Sequence, residues 1–145
     1  MTRVIGLDHG SRRVGVAVGD TETGMAFARP AIQRRAGSVD LDAIAALARH
    51  EGADRIVLGL PRNMDGSEGP QAAAARAFGE RLVGIGLAVA YVDERLTSWE
   101  AGERLVATGR KPSRSSGELD SAAARLILQE YLDACARPGA AQEAE

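Results

Sequence analysis

Four acids in this chain stand where a short apolar run ends or where a helix begins, and their type and spacing could do chemistry. Asp8 closes the run Val4-Ile5-Gly6-Leu7, Asp93-Glu94 closes Leu87 to Val92, and Asp120 falls in the first turn of the last helical segment. Carboxylates are hard oxygen donors suited to Mg²⁺ or Mn²⁺. If several converge with no cation between them, they repel and raise one another's pKa. Two such ions about 4 Å apart can activate water and stabilise the leaving oxygen of a phosphodiester. Each acid also has an ordinary use: Asp with Gly makes hairpin turns, and first-turn acids complement the helix dipole. Strand alternation sends Asp93 and Glu94 to opposite faces, so at most one of them aims at a shared site.

Other chemistries find less support. The chain has two histidines and one cysteine, too few for a typical zinc site. His9 reads as a loop donor near substrate and His50 as a solvent-facing residue at a helix end. Cys135 reads as a packed thiol, and a single cysteine leaves no internal disulfide framework, which suits the cytosol. The segment Pro61-Arg62-Asn63-Met64-Asp65-Gly66-Ser67-Glu68-Gly69 leads from a strand into a helix N-terminus, a natural place for an anion. It lacks the Gly-Lys-Ser/Thr ending of a Walker loop. Arg110-Lys111-Pro112-Ser113-Arg114 is a basic stretch near Asp120, where a nucleic-acid backbone would have to pass. The glycines flanking Asp8 would let phosphate or metal approach the backbone.

The elements that must position these groups follow from periodicity. With 145 residues, 45% apolar and 26% charged, the chain has the length and balance of one globular domain. A net charge of -2 argues weakly against nucleic-acid binding, though it hides how charge is distributed. Neither a membrane span nor a signal peptide is apparent. Val4 to Asp8 and Arg13 to Asp20 read as strands, the second alternating Val14, Val16 and Val18. Met25 to Arg34 is a third, with Pro30 hinting at an edge or a bulge. Ser38 caps a helix presenting Leu41, Ile44, Ala45 and Ala48 and ending near Gly52. Arg55 to Leu60 is a buried strand, and Pro70 opens a helix with Ala74, Phe78 and Leu82 on one stripe. Leu87 to Val92 is the fifth strand. Capping boxes at Thr97-Ser98-Trp99-Glu100 and Ser115-Ser116-Gly117-Glu118 open two more helices, the last carrying Leu119, Ala122, Ala123, Leu126 and Ile127. The expectation is an α/β domain over 1–136 with a tail over 137–145. Its mixed five-stranded sheet has three antiparallel strands, then parallel ones, and helices on both faces.

Four blocks, in order, resemble the YqgF/RuvX family. They are Gly6-Leu7-Asp8-His9-Gly10-Ser11-Arg12-Arg13-Val14-Gly15-Val16-Ala17-Val18-Gly19-Asp20, Gly59-Leu60-Pro61-Arg62-Asn63-Met64-Asp65-Gly66-Ser67, Val92-Asp93-Glu94-Arg95-Leu96-Thr97-Ser98, and Asp120-Ser121-Ala122-Ala123-Ala124-Arg125-Leu126-Ile127-Leu128-Gln129. The resemblance implies a ribonuclease H-like fold and a bacterial, cytoplasmic nuclease. The family is associated with 5′-end maturation of 16S ribosomal RNA and was first proposed as a Holliday junction resolvase. Carried over by position, its acids fall on Asp8, Glu94 and Asp120, as catalytic residues and as ligands of Mg²⁺ or Mn²⁺. The fourth strand ends in Gly59-Leu60-Pro61, without the acid that related resolvases carry there, and the fifth-strand acid takes its place. Arg12, Arg13, Asn63, Lys111 and Arg114 are the expected phosphate contacts. The expected partners are pre-rRNA, single-stranded RNA or DNA, or branched DNA, with ribosomal particles possible and no membrane, for a monomer or a homodimer.

Two other readings compete. An actin-like ATPase also opens with an Asp-x-Gly hairpin, but closing over a nucleotide takes two such domains, and this chain has no second hairpin of that kind. A non-catalytic RNA-binding module of ribosome assembly would keep the same acids without cleaving.

Overall fold

The valines at every second position of the second strand form one wall of the core. The computed structural model describes residues 2–10, 13–34, 39–94 and 118–136, with only the course of the backbone at 39–40 and 118–120. In it, β1 (Arg3–His9) and β2 (Arg13–Asp20) pair antiparallel. Val14, Val16 and Val18 are buried on the same face as Ile5 and Leu7. The turn after β2 closes when Thr23 N donates to Asp20 Oδ1 at 2.7 Å, and that bond, with others from the turn, holds the Asp20 carboxyl below its usual range. The next strand, β3 (Ala26–Gln33), is the sheet edge. Its register against β2 shifts where Val14 faces Ile32 but Val16 faces Arg29, so β3 carries one extra residue beside Pro30. Pro30 therefore marks both an edge and a bulge.

The remaining strands add in parallel. Helix α1 (Val39–Glu51) buries Leu41, Ile44 and Ala48 and stops at Gly52, whose φ of 70° suits a residue without Cβ. Strand β4 (Arg55–Leu60) lies parallel to β1, and β5 (Ala88–Asp93) lies parallel to β4, giving the order β3-β2-β1-β4-β5. Between them α2 (Pro70–Gly84) buries Ala72, Ala75, Phe78, Gly79 and Leu82. Ala74, expected on that stripe, is exposed. At 100° per residue the buried arc centres between Ala75 and Leu82, which leaves Ala74 roughly 100° off it. The expected helix from Thr97 lies outside the described residues, as do the Ser38 cap and the tail. The last helix, α3 (Glu118–Ala136), completes the described elements.

Two apolar clusters sandwich the sheet. Ile5, Leu7, the β2 valines, Ile56 and Leu58 pack on α1 and α2. Val4, Ala17, Ala26, Val57 and Ala90 pack on Ala124, Ile127, Leu128, Tyr131 and Leu132 of α3. Gly6 lies under α3: a Cβ there would sit 2.7 Å from Leu128 Cβ and 3.0 Å from the Ala124 carbonyl. The expectation that this glycine admits phosphate is thus corrected; its bare backbone is occupied by a helix. Among the described residues no helix is long and apolar enough to cross a membrane.

Candidate metal and nucleic-acid site

Which acids share a face follows from the sheet's alternation. On β1, Val4 and Gly6 face α3, so Asp8, two residues on, faces the same way. On β5, Ala90 and Val92 pack in the α3 cluster, so Glu94, immediately past the strand, continues that row. Asp93 continues the opposite row of Val89 and Tyr91, which pack towards α1 and α2. Of the two adjacent acids, Glu94 is the one on Asp8's side.

Strand β4 separates β1 from β5, and Gly59 decides what fills the space above it. A Cβ at Gly59 would lie 2.5 Å from Ile127 Cδ1, 2.8 Å from Glu94 Cγ and 2.9 Å from Glu94 Cδ. The Glu94 side chain therefore folds back over β4, and it is only 8% exposed. The β1–β4 register pairs Leu7 with Leu58. Continued by one residue, it sets Asp8 level with Gly59. The Glu94 carboxyl thus sits over the strand next to Asp8, about one strand spacing (~4.8 Å) to the side. Two hard oxygen donors so placed at the carboxyl end of parallel strands fit a divalent cation.

The third acid comes from α3. Gly6 lies under Ala124 and Leu128. A step of two strand residues (~6.6 Å) matches about four helix residues, so Asp8 lies level with the first turn of α3. Asp120 is in that turn; its side chain lies outside the described residues. The turn is fixed by its neighbour Ser121, which is 6% exposed. Ser121 Oγ donates to the Arg29 carbonyl at 2.7 Å and accepts from Val16 N at 3.4 Å. This hydroxyl bridges β2 and β3 where the bulge breaks their ladder, and it ties the start of α3 to the sheet. Among the described residues, no group of three His, Cys, Asp or Glu side chains is clustered to hold a metal.

The expected phosphate contacts divide. Arg13 opens β2 half-buried, on the α3 face by alternation and two residues from Gly15, the register partner of Asp8. Asn63 lies in the loop after β4, where its Nδ2 donates to Ser67 Oγ at 3.0 Å and its backbone N to the Ser67 carbonyl at 2.8 Å. Arg12, Lys111 and Arg114 lie outside the described residues. His9 is the last residue of β1, its ring stacked on Phe78 with centroids 4.5 Å apart. Expected as a loop donor, it packs instead on α2, because it falls on the Ile5–Leu7 side of the strand. His50 is exposed in the last turn of α1, as expected. Cys135 is half-buried against the α3-side cluster. Sequence reasoning missed Gly59 and Ser121. A glycine inside an otherwise apolar strand was the available signal for the first, since such a residue marks a close approach.

A family model described as RuvX, Holliday junction resolvase, matches residues 2–134. The chain belongs to the RuvX family. Relatives include a Synechococcus protein that is 46% identical over 134 residues, covering 89% of this chain and 87% of its own length. A Moorella thermoacetica protein is 43% identical over 138 residues, covering 94% and 99%. Both are described as "Putative pre-16S rRNA nuclease". Among solved structures, T. thermophilus RuvC in complex with Holliday junction substrate superposes with a TM-score of 0.55 at 13% identity, covering 97% of this chain and 98% of that one. The yeast mitochondrial Holliday junction resolvase Ydc2 gives 0.52 at 10% identity, covering 90% and 78%. The RuvX fold here is thus the ribonuclease H-like one, as the sequence implied.

Proposed function

We propose that this RuvX protein is a divalent-metal-dependent nuclease. Asp8, Glu94 and Asp120 would hold Mg²⁺ or Mn²⁺, and the substrate would be the 5′ region of precursor 16S rRNA in the bacterial cytoplasm. The observation that carries the reading is the Glu94 carboxyl lying over Gly59 beside Asp8. Two carboxylates that close are stable together with a cation between them. The names of relatives at 46% and 43% identity support the choice of RNA.

When bound, the cation would supply an acidified water and a counter-charge for the leaving oxygen. The protein's residues do the rest. Asp8, at the end of β1, would be the ligand shared with both of the other acids. The wall of α3 and the Ile127 side chain shield Glu94 from bulk water, which strengthens its attraction for a cation. Arg12 and Arg13 on the first hairpin, Asn63 after β4, and Lys111 and Arg114 before α3 would grip the phosphates on either side of the scissile bond.

Cleavage of a single-stranded RNA that spans a 16S precursor end tests this. The wild type is expected to cut with Mn²⁺ or Mg²⁺ and Asp8→Asn to fail. Binding by the wild type without cleavage under any divalent ion would favour an RNA-binding module of ribosome assembly. If Asp120→Asn cleaves at the wild-type rate under saturating Mn²⁺, the three-carboxylate arrangement is wrong.

A further inference from the structure

After β4, the loop leading into α2 carries a group of charges for which neither the fold nor the acid site accounts. Glu68 takes a two-pronged bond from Arg76, Nε to Oε1 at 2.6 Å and Nη2 to Oε2 at 2.7 Å. Arg76 is backed by the Tyr91 ring, with its guanidinium carbon 5.0 Å from the centroid. Gly79 leaves the room that the Tyr91 hydroxyl needs. Both oxygens of Glu68 are therefore committed to a guanidinium that is itself braced. Arg62 reaches the same carboxylate only at 3.6 Å, which is an ion-pair distance and too long for a hydrogen bond. Its Nε is shielded from solvent and has no acceptor among the described residues. A buried donor without an acceptor is costly. Two guanidinium groups share the Glu68 carboxylate, and Arg62 has the looser hold on it. Arg62 lies just beyond the end of β4, the strand between β1 and β5.

We infer that Arg62 is a backbone-phosphate contact for the nucleic acid, held ready by Glu68 and Arg76. The Nε–Nη edge of a guanidinium matches two oxygens of one phosphate, and rotation about the terminal torsions of Arg62 would turn that edge from Glu68 towards a strand passing the end of β4. Glu68 is the positioning residue: it holds Arg62 by charge without using up its donors, and Arg76 fixes Glu68 in place through the two-pronged bond. Asn63, its neighbour, spends its backbone N–H and one amide hydrogen on the loop and has a second amide hydrogen to offer a phosphate, whereas Arg62 is the cation of the loop. The inference rests on the nuclease reading and adds to it a subsite separate from the metal ligands.

Equilibrium binding of a fluorescent single-stranded RNA in EDTA, followed by anisotropy across a salt series, tests it without catalysis. Arg62→Ala is expected to weaken binding on the order of 3- to 10-fold and to lower the slope of log K against log salt by about 0.7, the loss of one phosphate contact on a single strand. Arg62→Lys should restore the slope and only part of the affinity, since the charge returns without the fork. Glu68→Gln removes a negative charge from the RNA path. A purely electrostatic role predicts tighter binding, whereas positioning predicts weaker. Wild-type affinity and slope in Arg62→Ala, with a wild type that binds and cleaves, would overturn this subsite and leave the nuclease reading standing. A wild type that neither binds nor cleaves RNA would overturn the nuclease reading itself.

Discussion

The two faces of the sheet are built from the same strands and to different ends. Towards α1 and α2, alternate residues are large and apolar: Ile5, Leu7, Val14, Val16, Ile56 and Leu58 are all within 1% of full burial. Towards α3 valines remain at Val4, Val57 and Val92, but they are interspersed with small or acidic residues: Gly6, Asp8, Ala17, Gly59, Ala90 and Glu94. Small residues let α3 lie close to the sheet and let one acid fold across a strand to approach another. One face is packed with large apolar residues, and the other brings acidic residues to its carboxyl end. Substitutions on the two faces should therefore fail in different ways.

The largest separation is expected at Asp8. Asp8→Asn keeps the size and the hydrogen-bonding reach of the side chain while removing the charge. Cleavage in Mn²⁺ should fall by on the order of 1,000-fold, with the thermal midpoint little changed. Neighbouring residues of β4 offer the sharper contrast. Leu58→Ala, on the α1–α2 face, should cost about 2–5 kcal/mol in denaturant unfolding, with near-normal cleavage per folded molecule. Gly59→Ala should cost only about 1–3 kcal/mol as Ile127 and Glu94 give way. Its cleavage should nonetheless fall well below that of Leu58→Ala, because the displaced atoms are those of Glu94. Equal cleavage losses in the two variants would break the division of labour.

Smaller effects sharpen it. Ser121→Ala should cost about 1 kcal/mol for the lost bridge between β2 and β3 and should raise the Mn²⁺ concentration needed for half-maximal cleavage as the start of α3 loosens. The smallest concerns Glu68. The hydrogen bond from Arg76, aided by both arginine charges, holds its carboxyl below the ordinary 4.5. A depressed folded-state value means that the pair's contribution is present above the unfolded value and lost as pH falls through the folded one. Carbon-detected NMR titration of Glu68 should show a midpoint below 4.5 that rises in Arg76→Ala.

Much of this was legible in the residues, for identifiable reasons. The Val14–Val16–Val18 alternation fixes which side of β2 is core. Pro30 cannot donate to a ladder, so it had to mark an edge or a bulge, and it marks both. Alternation also dictated that Asp93 and Glu94 part company. Which of them faces the site depended on packing that periodicity does not encode, namely that Ala90 and Val92 lie under α3. Gly59 looked like any glycine in an apolar run because its purpose is set by a side chain 35 residues away in sequence. Nothing in the sequence singles out Ser121, since the bulge it bridges arises between two distant strands. Ala74 and Ala75 are indistinguishable by composition, and only the phase of α2 against the sheet separates them. Arg62 does not stand out in the sequence, because the ion pairs that leave it short of acceptors are tertiary.

The central claim is that Asp8 and Glu94 hold one cation jointly across Gly59. Calorimetric Mn²⁺ titration of the wild type, Asp8→Asn, Glu94→Gln and the double variant tests it directly. Joint ligation predicts that each single change removes most of the affinity and that the double change removes little more, a coupled cycle rather than an additive one. Wild-type Mn²⁺ affinity in either single variant, or strictly additive losses, would contradict it.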